Sequence, residues 1–184
     1  NKIDFTLFKK IIKNVFPKII LDNLIKLNFK LFGQDNEFKG LSNSEIFNKI
    51  YIKGLWGKSE DGLSISGSGS YSEEIIKPYI AKIIYFLSKN RPATLVDLGC
   101  GDFNIGKNFV SYADTFIACD VSNIIIERNK LKYSSLKNVE FKLLDLSKDE
   151  LPSGDICILR QVLQHLSNND ILNFVNFLNK NKPY

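Results

Sequence analysis

Residues 96–106 read VDLGCGDFNIG, and this stretch decides the fold. A short apolar run enters a Gly-x-Gly turn at Gly99 to Gly101. Glycine lets the backbone come close to a ligand there and turn its N–H groups toward it. Alone, such a turn is a weak signal, so the rest of the argument comes from the chain around it.

The chain on either side alternates between short apolar runs and helix-compatible segments. The runs are residues 94–98, 116–119, 139–144 and 155–159, and the helical segments are about 104–112, 122–133 and 168–180. Strands that alternate with helices every 20 to 25 residues indicate βαβ units and a parallel sheet. We therefore expect an α/β, Rossmann-like fold.

An aspartate closes or follows three of these runs: Asp97, Asp120 and Asp145. Right-handed crossovers bring the carboxyl ends of parallel strands to one edge of the sheet, where ligands bind. The three carboxylates should therefore line one crevice. They suit a cationic, ribose-containing ligand better than a pyrophosphate.

The amino-terminal third has a helical pattern. Apolar residues recur at helical spacing over residues 3–32, where Pro17 should divide the helix and Gly33 should end it. A capping box of Ser42 and Glu45 then predicts the start of another helix.

Residues 54–70 are rich in Gly and Ser and have no period, which predicts a long loop that is mobile or functional. A second capping box, Ser70 with Glu73, should open the next helix. We therefore expect an N-terminal helical extension ending in a loop over residues 1–70, followed by an α/β core over residues 71–184.

Composition narrows the class of protein. The chain has 184 residues, 44% of them apolar, which is enough for one globular domain, and no apolar run reaches 18 residues. The formal charge of +5 comes mostly from scattered lysines, so we expect no nucleic-acid partner. Three cysteines without a CxxC pair favour reduced, buried thiols and a cytoplasmic location, and no metal-ligand pattern is present.

Four motifs in order resemble a class I S-adenosylmethionine-dependent methyltransferase. They are DLGCG at 97–101, ACDVS at 118–122, LLDL at 143–146 and VLQHL at 162–166, and the resemblance covers about residues 80–182. Upstream, Ile50-Tyr51, Trp56-Gly57 and the run 66–70 are similar to the leader of a subset of these enzymes.

The resemblance implies S-adenosylmethionine as cofactor and S-adenosylhomocysteine as product. The turn Gly99, Cys100 and Gly101 would pack against the methionine portion, with Asp97 near its ammonium. Asp120 would accept hydrogen bonds from the ribose hydroxyls.

The adenine would then lie against Val121 and Leu146, and Asp145 would accept from its amino group. Phe103 departs from the family pattern, because many members have a third glycine there. Gly106 would compensate.

Simpler interpretations of the same residues stay open. The glycines could form an ordinary tight βα turn, and Asp120 could be a helix N-cap, as Ser122 also could. Asp145 could be a turn residue beside Ser147 and Asp149.

Residues 66–70 precede a predicted helix and could present a nest of N–H groups to an anion. We expect this segment, through Ser68 and Ser70, to close over the carboxylate of the cofactor, while Tyr51 and Trp56 shield the site. The alternative is a flexible linker.

Three residues past the fourth strand are catalytic candidates. The resemblance implies that Arg160 and Gln161 face the methyl group and the substrate. His165, the only histidine, is either a general base or a packed side chain, and Asp102 and Tyr51 are the other candidate bases.

The leading function is methyl transfer to oxygen on a small molecule or on a saccharide such as a surface-polysaccharide precursor. An NAD-dependent oxidoreductase is the first alternative, because Gly-x-Gly and Asp120 also suit adenosine. A non-catalytic S-adenosylmethionine-binding module is the second.

The resemblance also predicts C-terminal strands beyond residue 184. Until they or a partner subunit, as in a homodimer, complete the sheet, the fourth strand should have an exposed edge.

Overall fold

The computed structural model describes residues 37–181 and 184. The chain divides into two compact units, residues 1–40 and 41–184. The helical pattern of residues 3–32, with Pro17 and Gly33, lies outside the described residues. All elements below belong to the second unit.

A four-stranded parallel sheet forms the centre of this unit. Its strands are β1 (Thr94–Leu98), β2 (Thr115–Asp120), β3 (Val139–Leu143) and β4 (Ile156–Leu159). They lie in the order β3-β2-β1-β4, with every pair parallel. The predicted α/β, Rossmann-like arrangement is confirmed, and the chain's direction across the sheet reverses between β1 and β4.

Helices cover both faces of the sheet. They are α1 (Asn43–Lys53), α2 (Glu73–Asn90), α3 (Asn123–Lys132) and α4 (Asn168–Asn181). Successive side chains of a strand point to opposite faces. Leu95 accordingly packs in the core beneath α2 and α3, and Val96 packs in the core that Phe174 of α4 joins.

The first predicted capping box is confirmed, and the second is wrong. The Ser42 amide donates to Glu45 Oε2 at 2.8 Å, and the Glu45 amide donates to Ser42 Oγ at 3.4 Å. The second helix instead begins at Glu73 with Ser72 as its N-cap. Ser70 cannot cap it, because Ser70 is buried and ends a short 3-10 helix over Ser68–Ser70.

The helix predicted over residues 104–112 is also wrong, because two 3-10 turns, Gly106–Asn108 and Val110–Tyr112, replace it. Phe103, directly before this segment, has a left-handed φ of 62°, which is not a helical conformation. Its fully buried ring contacts three other aromatic rings at centroid distances of 5.0 to 5.3 Å, those of Phe116, Tyr133 and Phe141. A Cβ on Gly106 would lie 2.5 Å from this ring, so Gly106 makes the room that Phe103 needs.

Candidate functional site

A pocket that is open to solvent at its mouth lies at the carboxyl ends of the strands, where ligands bind in open α/β sheets. Of the predicted site residues, Ser68 and the candidate base Asp102 do not line it, and the others do: Tyr51, Trp56, Ser70, Asp97, Gly99, Cys100, Gly101, Asp120, Val121, Asp145, Leu146, Arg160, Gln161 and His165. The topology therefore brings together residues that are up to 114 positions apart in the sequence.

The glycine turn lies against β2 and the loops around it. Gly99 and Gly101 have φ values of 80° and 53°, which favour glycine. A Cβ on Gly99 would collide with Val162, and one on Gly101 would collide with Ser66. Only glycine fits at both positions.

The N–H groups of this turn do not face the pocket, so that expectation is wrong. The amides of Gly99 and Cys100 both donate to the carbonyl of Cys119 at 2.8 Å. The Gly101 amide donates to Asp120 Oδ2 at 2.9 Å. The turn therefore lets a ligand come close to the backbone. Its amide N–H groups, which a pyrophosphate would need as donors, are already hydrogen-bonded within the protein.

Asp97 is a buried carboxylate at the end of β1, and it accepts no hydrogen bond from any residue that the structure describes. Its pKa is raised to about 7, mainly by burial and secondly by the nearby charge of Asp120, while the Arg160 guanidinium lowers it. A buried charge without a partner is unfavourable. Asp97 is therefore a site at which a bound cation would be stabilised.

Asp120 is also buried, and desolvation raises its pKa to about 6. Its two oxygens accept from the amides of Gly101, at 2.9 Å, and Ser122, at 3.0 Å. The Val121 amide also donates to this carboxylate, which keeps acceptor capacity for a ligand hydroxyl. The N-cap of α3 is Ser122, whose Oγ accepts from the Ile125 amide, so the N-cap interpretation of Asp120 is wrong.

Asp145 is both a turn residue and a pocket residue. Its Oδ1 accepts from the amide and hydroxyl of Ser147, at 3.0 and 2.7 Å. Its own amide donates to Asp149 Oδ2 at 2.7 Å. The turn interpretation is thus confirmed, and much of the capacity of this carboxylate is already taken.

The Gly/Ser segment is anchored by hydrogen bonds to the loop after β1, which argues against a flexible linker. The Ser66 amide donates to Asp102 Oδ2 at 2.9 Å, and the Asp102 amide donates to Ser66 Oγ at 2.8 Å. The Tyr71 hydroxyl also donates to Asp102 Oδ2, at 2.9 Å. Ser66 lines the pocket, whereas Ser68 is exposed and does not.

Arg160 holds the same segment from the other side. Its guanidinium donates to the carbonyl of Gly69 at 2.6 Å and to Ser70 Oγ at 3.4 Å, and it lies 5.0 Å from the centroid of the Tyr79 ring. Its neighbour Gln161 has a left-handed φ of 53°. A strained, exposed residue at a pocket mouth is typical of a functional position.

His165 packs among aromatic rings. Its ring centroid lies 5.1 Å from that of Trp56 and 6.3 Å from that of Phe47. Desolvation lowers its pKa to about 4, so the ring is neutral at pH 7. The indole Nε1 of Trp56 is buried and has no hydrogen-bond partner among the described residues.

Asn43, Phe47 and Tyr79 are among the pocket residues that the sequence did not single out. Asn43 and Phe47 belong to a stripe that Tyr51 completes, at a spacing of four residues along α1. Residues at that spacing share one helix face. The spacing of four residues could have indicated this shared face of α1. The sequence did not indicate that the face would pack at the carboxyl ends of the strands.

The described residues contain no group of side chains suited to a metal ion. None of the helices in residues 37–181 is both long enough and apolar enough to cross a membrane.

No family model and no curated protein matches the chain. Among solved structures it is similar to the methyltransferase domain of bacterial CtHen1, with 19% identity and a TM-score of 0.51 over 57% of this chain and 60% of that chain. It is also similar to a SAM-dependent methyltransferase of the DUF858 family from Leishmania major, with 17% identity and a TM-score of 0.50 over 58% of this chain and 46% of that chain. The matched part thus spans 60% or less of these relatives. The fold is that of class I S-adenosylmethionine-dependent methyltransferases.

Proposed function

We propose that this chain binds S-adenosylmethionine in the pocket and transfers its methyl group to a hydroxyl oxygen of a small molecule or saccharide, such as a surface-polysaccharide precursor. The observation that carries the proposal is the unpartnered, buried carboxylate of Asp97 beside the glycine turn. A buried carboxylate of this kind favours a cationic ligand. Solved structures with this fold include S-adenosylmethionine-dependent methyltransferases.

The residues present fit the cofactor. Asp97 would pair with the ammonium of its methionine portion, which packs against Gly99 and Gly101. Asp120 has acceptor capacity for the two ribose hydroxyls. Val121 and Leu146 offer apolar surface for the adenine.

The donor pattern disfavours a dinucleotide. A pyrophosphate needs free N–H groups at the glycine turn, and the amides of Gly99, Cys100 and Gly101 already donate to β2. No observation favours the oxidoreductase alternative.

When bound, S-adenosylmethionine supplies a methyl group attached to a positively charged sulfur. The chain's contribution is to orient the reactants and exclude water, and orientation alone can be worth about 7–11 kcal/mol. Phe47, Tyr51 and Trp56 form an aromatic wall that would keep water out. Gln161, at the pocket mouth, is the residue that we place against the acceptor.

Proton abstraction fits the candidate bases poorly. The depressed pKa of His165 makes it a weak base, and burial holds the pKa of Tyr51 well above its ordinary value, so that Tyr51 stays protonated. Asp102 already accepts from three groups, the amides of Ser66 and Asn104 and the Tyr71 hydroxyl. We therefore propose that the acceptor hydroxyl lies beside Gln161 at the open mouth of the pocket and loses its proton to solvent water, as its oxygen bonds to the methyl carbon and the carbon–sulfur bond breaks.

Calorimetric titration with S-adenosylhomocysteine and, separately, with NAD tests the cofactor. We expect binding of the first and not of the second. Asp97→Asn should weaken the binding of S-adenosylhomocysteine about 10- to 100-fold, because a charge-assisted contact to its ammonium is lost. The matched control is Asp114→Asn, which changes an exposed aspartate just before β2. Binding of NAD alone, or of neither nucleotide, would overturn the proposal.

The acceptor is tested by incubating the chain with methyl-labelled S-adenosylmethionine and two panels, neutral saccharides and primary amines. Label on saccharide hydroxyls supports the proposal, and label on amines alone contradicts it.

We place the protein in the cytoplasm, since all three cysteines are free thiols.

A further inference from the structure

The first turn of α1 brings a carboxamide to the end of the pocket at Asp145. Asn43 Nδ2 lies 3.5 Å from Asp145 Oδ1 and 3.5 Å from Ser147 Oγ, and both Asn43 and Asp145 line the pocket. The family resemblance places a polar contact to the base at this end on Asp145 alone.

The bonds around Asp145 fix which way the Asn43 amide points. Both neighbours of Asn43 Nδ2 act as acceptors, because the Ser147 hydroxyl hydrogen is donated to Asp145 Oδ1. Turning the amide over would set its oxygen against a carboxylate oxygen, which is repulsive. The Asn43 amide nitrogen therefore faces Asp145, and its oxygen points away.

The amide oxygen of Asn43 is a hydrogen-bond acceptor without a donor in the part of the chain that the structure describes. No residue among those described donates to Asn43 Oδ1, and it is not enclosed by protein. Asp145 Oδ1, in contrast, already accepts from the Ser147 amide and hydroxyl, and Lys148 Nζ lies 3.6 Å from Asp145 Oδ2. Both oxygens of Asp145 thus face a donor or a cation, whereas no described residue donates to Asn43 Oδ1.

We infer that Asn43 reads the base of the bound nucleoside by accepting a hydrogen bond from the 6-amino group of adenine, while Asp145 acts as a positioning residue that holds the Asn43 amide. The inference rests on the proposed function and refines its site. An oriented acceptor selects against hypoxanthine, which has a carbonyl oxygen at the same place and leaves Asn43 Oδ1 without a donor.

The experiment measures dissociation constants for S-adenosylhomocysteine and S-inosylhomocysteine, which differ only in the base. The wild-type chain should bind the adenine compound at least about tenfold more tightly, as one well-placed hydrogen bond allows. Asn43→Ala should bring the ratio of the two constants close to one by weakening only the adenine compound. A purely structural role would weaken both compounds equally and leave the ratio unchanged.

Two further variants serve as comparisons. Asp145→Asn should keep most of the preference, because its amide oxygen can still accept from Asn43. Ser44→Ala changes the next residue of α1, which does not line the pocket, and should keep both constants.

The outcomes separate the two claims. A ratio that Asn43→Ala preserves within twofold overturns the role of Asn43. Failure of both compounds to bind the wild-type chain overturns the proposed function, and this inference with it.

Discussion

Asn129 donates a hydrogen bond from its Nδ2 to the carbonyl oxygen of Gly101 at 2.7 Å. The amide of the same glycine donates to Asp120 Oδ2. The glycine turn is therefore held at both its N–H and its C=O from β2 and α3. Asn129 is fully buried, and its Oδ1 has no hydrogen-bond partner among the described residues. The bond to the Gly101 carbonyl is therefore the contact by which this side chain stabilises the turn.

Asn129→Ala should lower the free energy of unfolding by about 1–3 kcal/mol, because it leaves the Gly101 carbonyl unpaired. Urea denaturation measures this, and the affinity for S-adenosylhomocysteine should fall with it as the turn loosens. The control is Asn123→Ala on the exposed side of the same helix, which should change stability by no more than about 0.5 kcal/mol. Equal stability of the two variants would contradict the role assigned to Asn129.

The sequence predicted the sheet and the convergence of its aspartates because both follow from topology. A parallel βαβ chain has to bring Asp97, Asp120 and Asp145 to one edge, whatever packs around them. The Ser42–Glu45 capping box was predictable for a similar reason, since all its contacts are local.

The failures all depend on contacts between distant parts of the chain. Ser70 has the right spacing for a capping box, but Arg160, 90 residues later, lies against it. Phe103 has a left-handed φ directly before the segment predicted as a helix, and its ring packs against that of Phe116 on β2. Asn43 became visible as a site residue only when the structure set it against Asp145.

Ligand affinity should depend on the ionisation of Asp97. With a pKa of about 7, this carboxyl is mostly neutral at pH 5.5 and mostly charged at pH 7.5. Binding of an ammonium needs the charged form, so affinity for S-adenosylhomocysteine should rise on the order of tenfold across this range. Asp97→Asn should remove most of the rise. A wild-type affinity that is flat with pH would refute the pairing.

The stability of the ligand-free chain should change in the opposite direction. A folded pKa near 7, against an ordinary 3.8, means that the native state binds more protons between these values. The contribution of Asp97 to stability therefore decreases as pH rises from about 4 to 7. The free energy of unfolding of the wild-type chain minus that of Asp97→Asn should be larger at pH 4.5 than at pH 7.5.

His165 should give a pH dependence of the other sign. Its pKa of about 4 in the folded chain lies below the ordinary 6.5, so the unfolded chain binds more protons between these values. Stability from His165 is therefore present above pH 6.5 and is lost as pH falls. The unfolding free energy of wild type minus that of His165→Phe should rise by at most about 2 kcal/mol from pH 5 to pH 7.5. No change in this difference would show that the imidazole is not desolvated.

Two serines in the same segment provide a matched pair. Ser66 Oγ accepts from the Asp102 amide and lies 3.0 Å from the Tyr51 hydroxyl, whereas Ser68 is exposed. Ser66→Ala should speed amide hydrogen exchange over residues 64–71 and weaken S-adenosylhomocysteine binding, because a half-buried hydrogen bond worth about 1 kcal/mol is lost. Ser68→Ala should change neither quantity. Equal exchange rates in the two variants would contradict the anchoring role of Ser66.

Phe103 and Gly106 should be energetically coupled, since a Cβ on Gly106 would lie 2.5 Å from the Phe103 ring and 2.8 Å from Asp97 Oδ2. Gly106→Ala should destabilise the wild-type chain by about 1–3 kcal/mol through overpacking. In a Phe103→Ala background the ring is gone, so the same change should cost less than half as much, with the remainder due to Asp97. A double-mutant cycle in urea measures the difference, and Phe103→Leu replaces Phe103→Ala if the smaller side chain prevents folding. Additive effects in the cycle would show that the ring does not set the requirement for glycine at position 106.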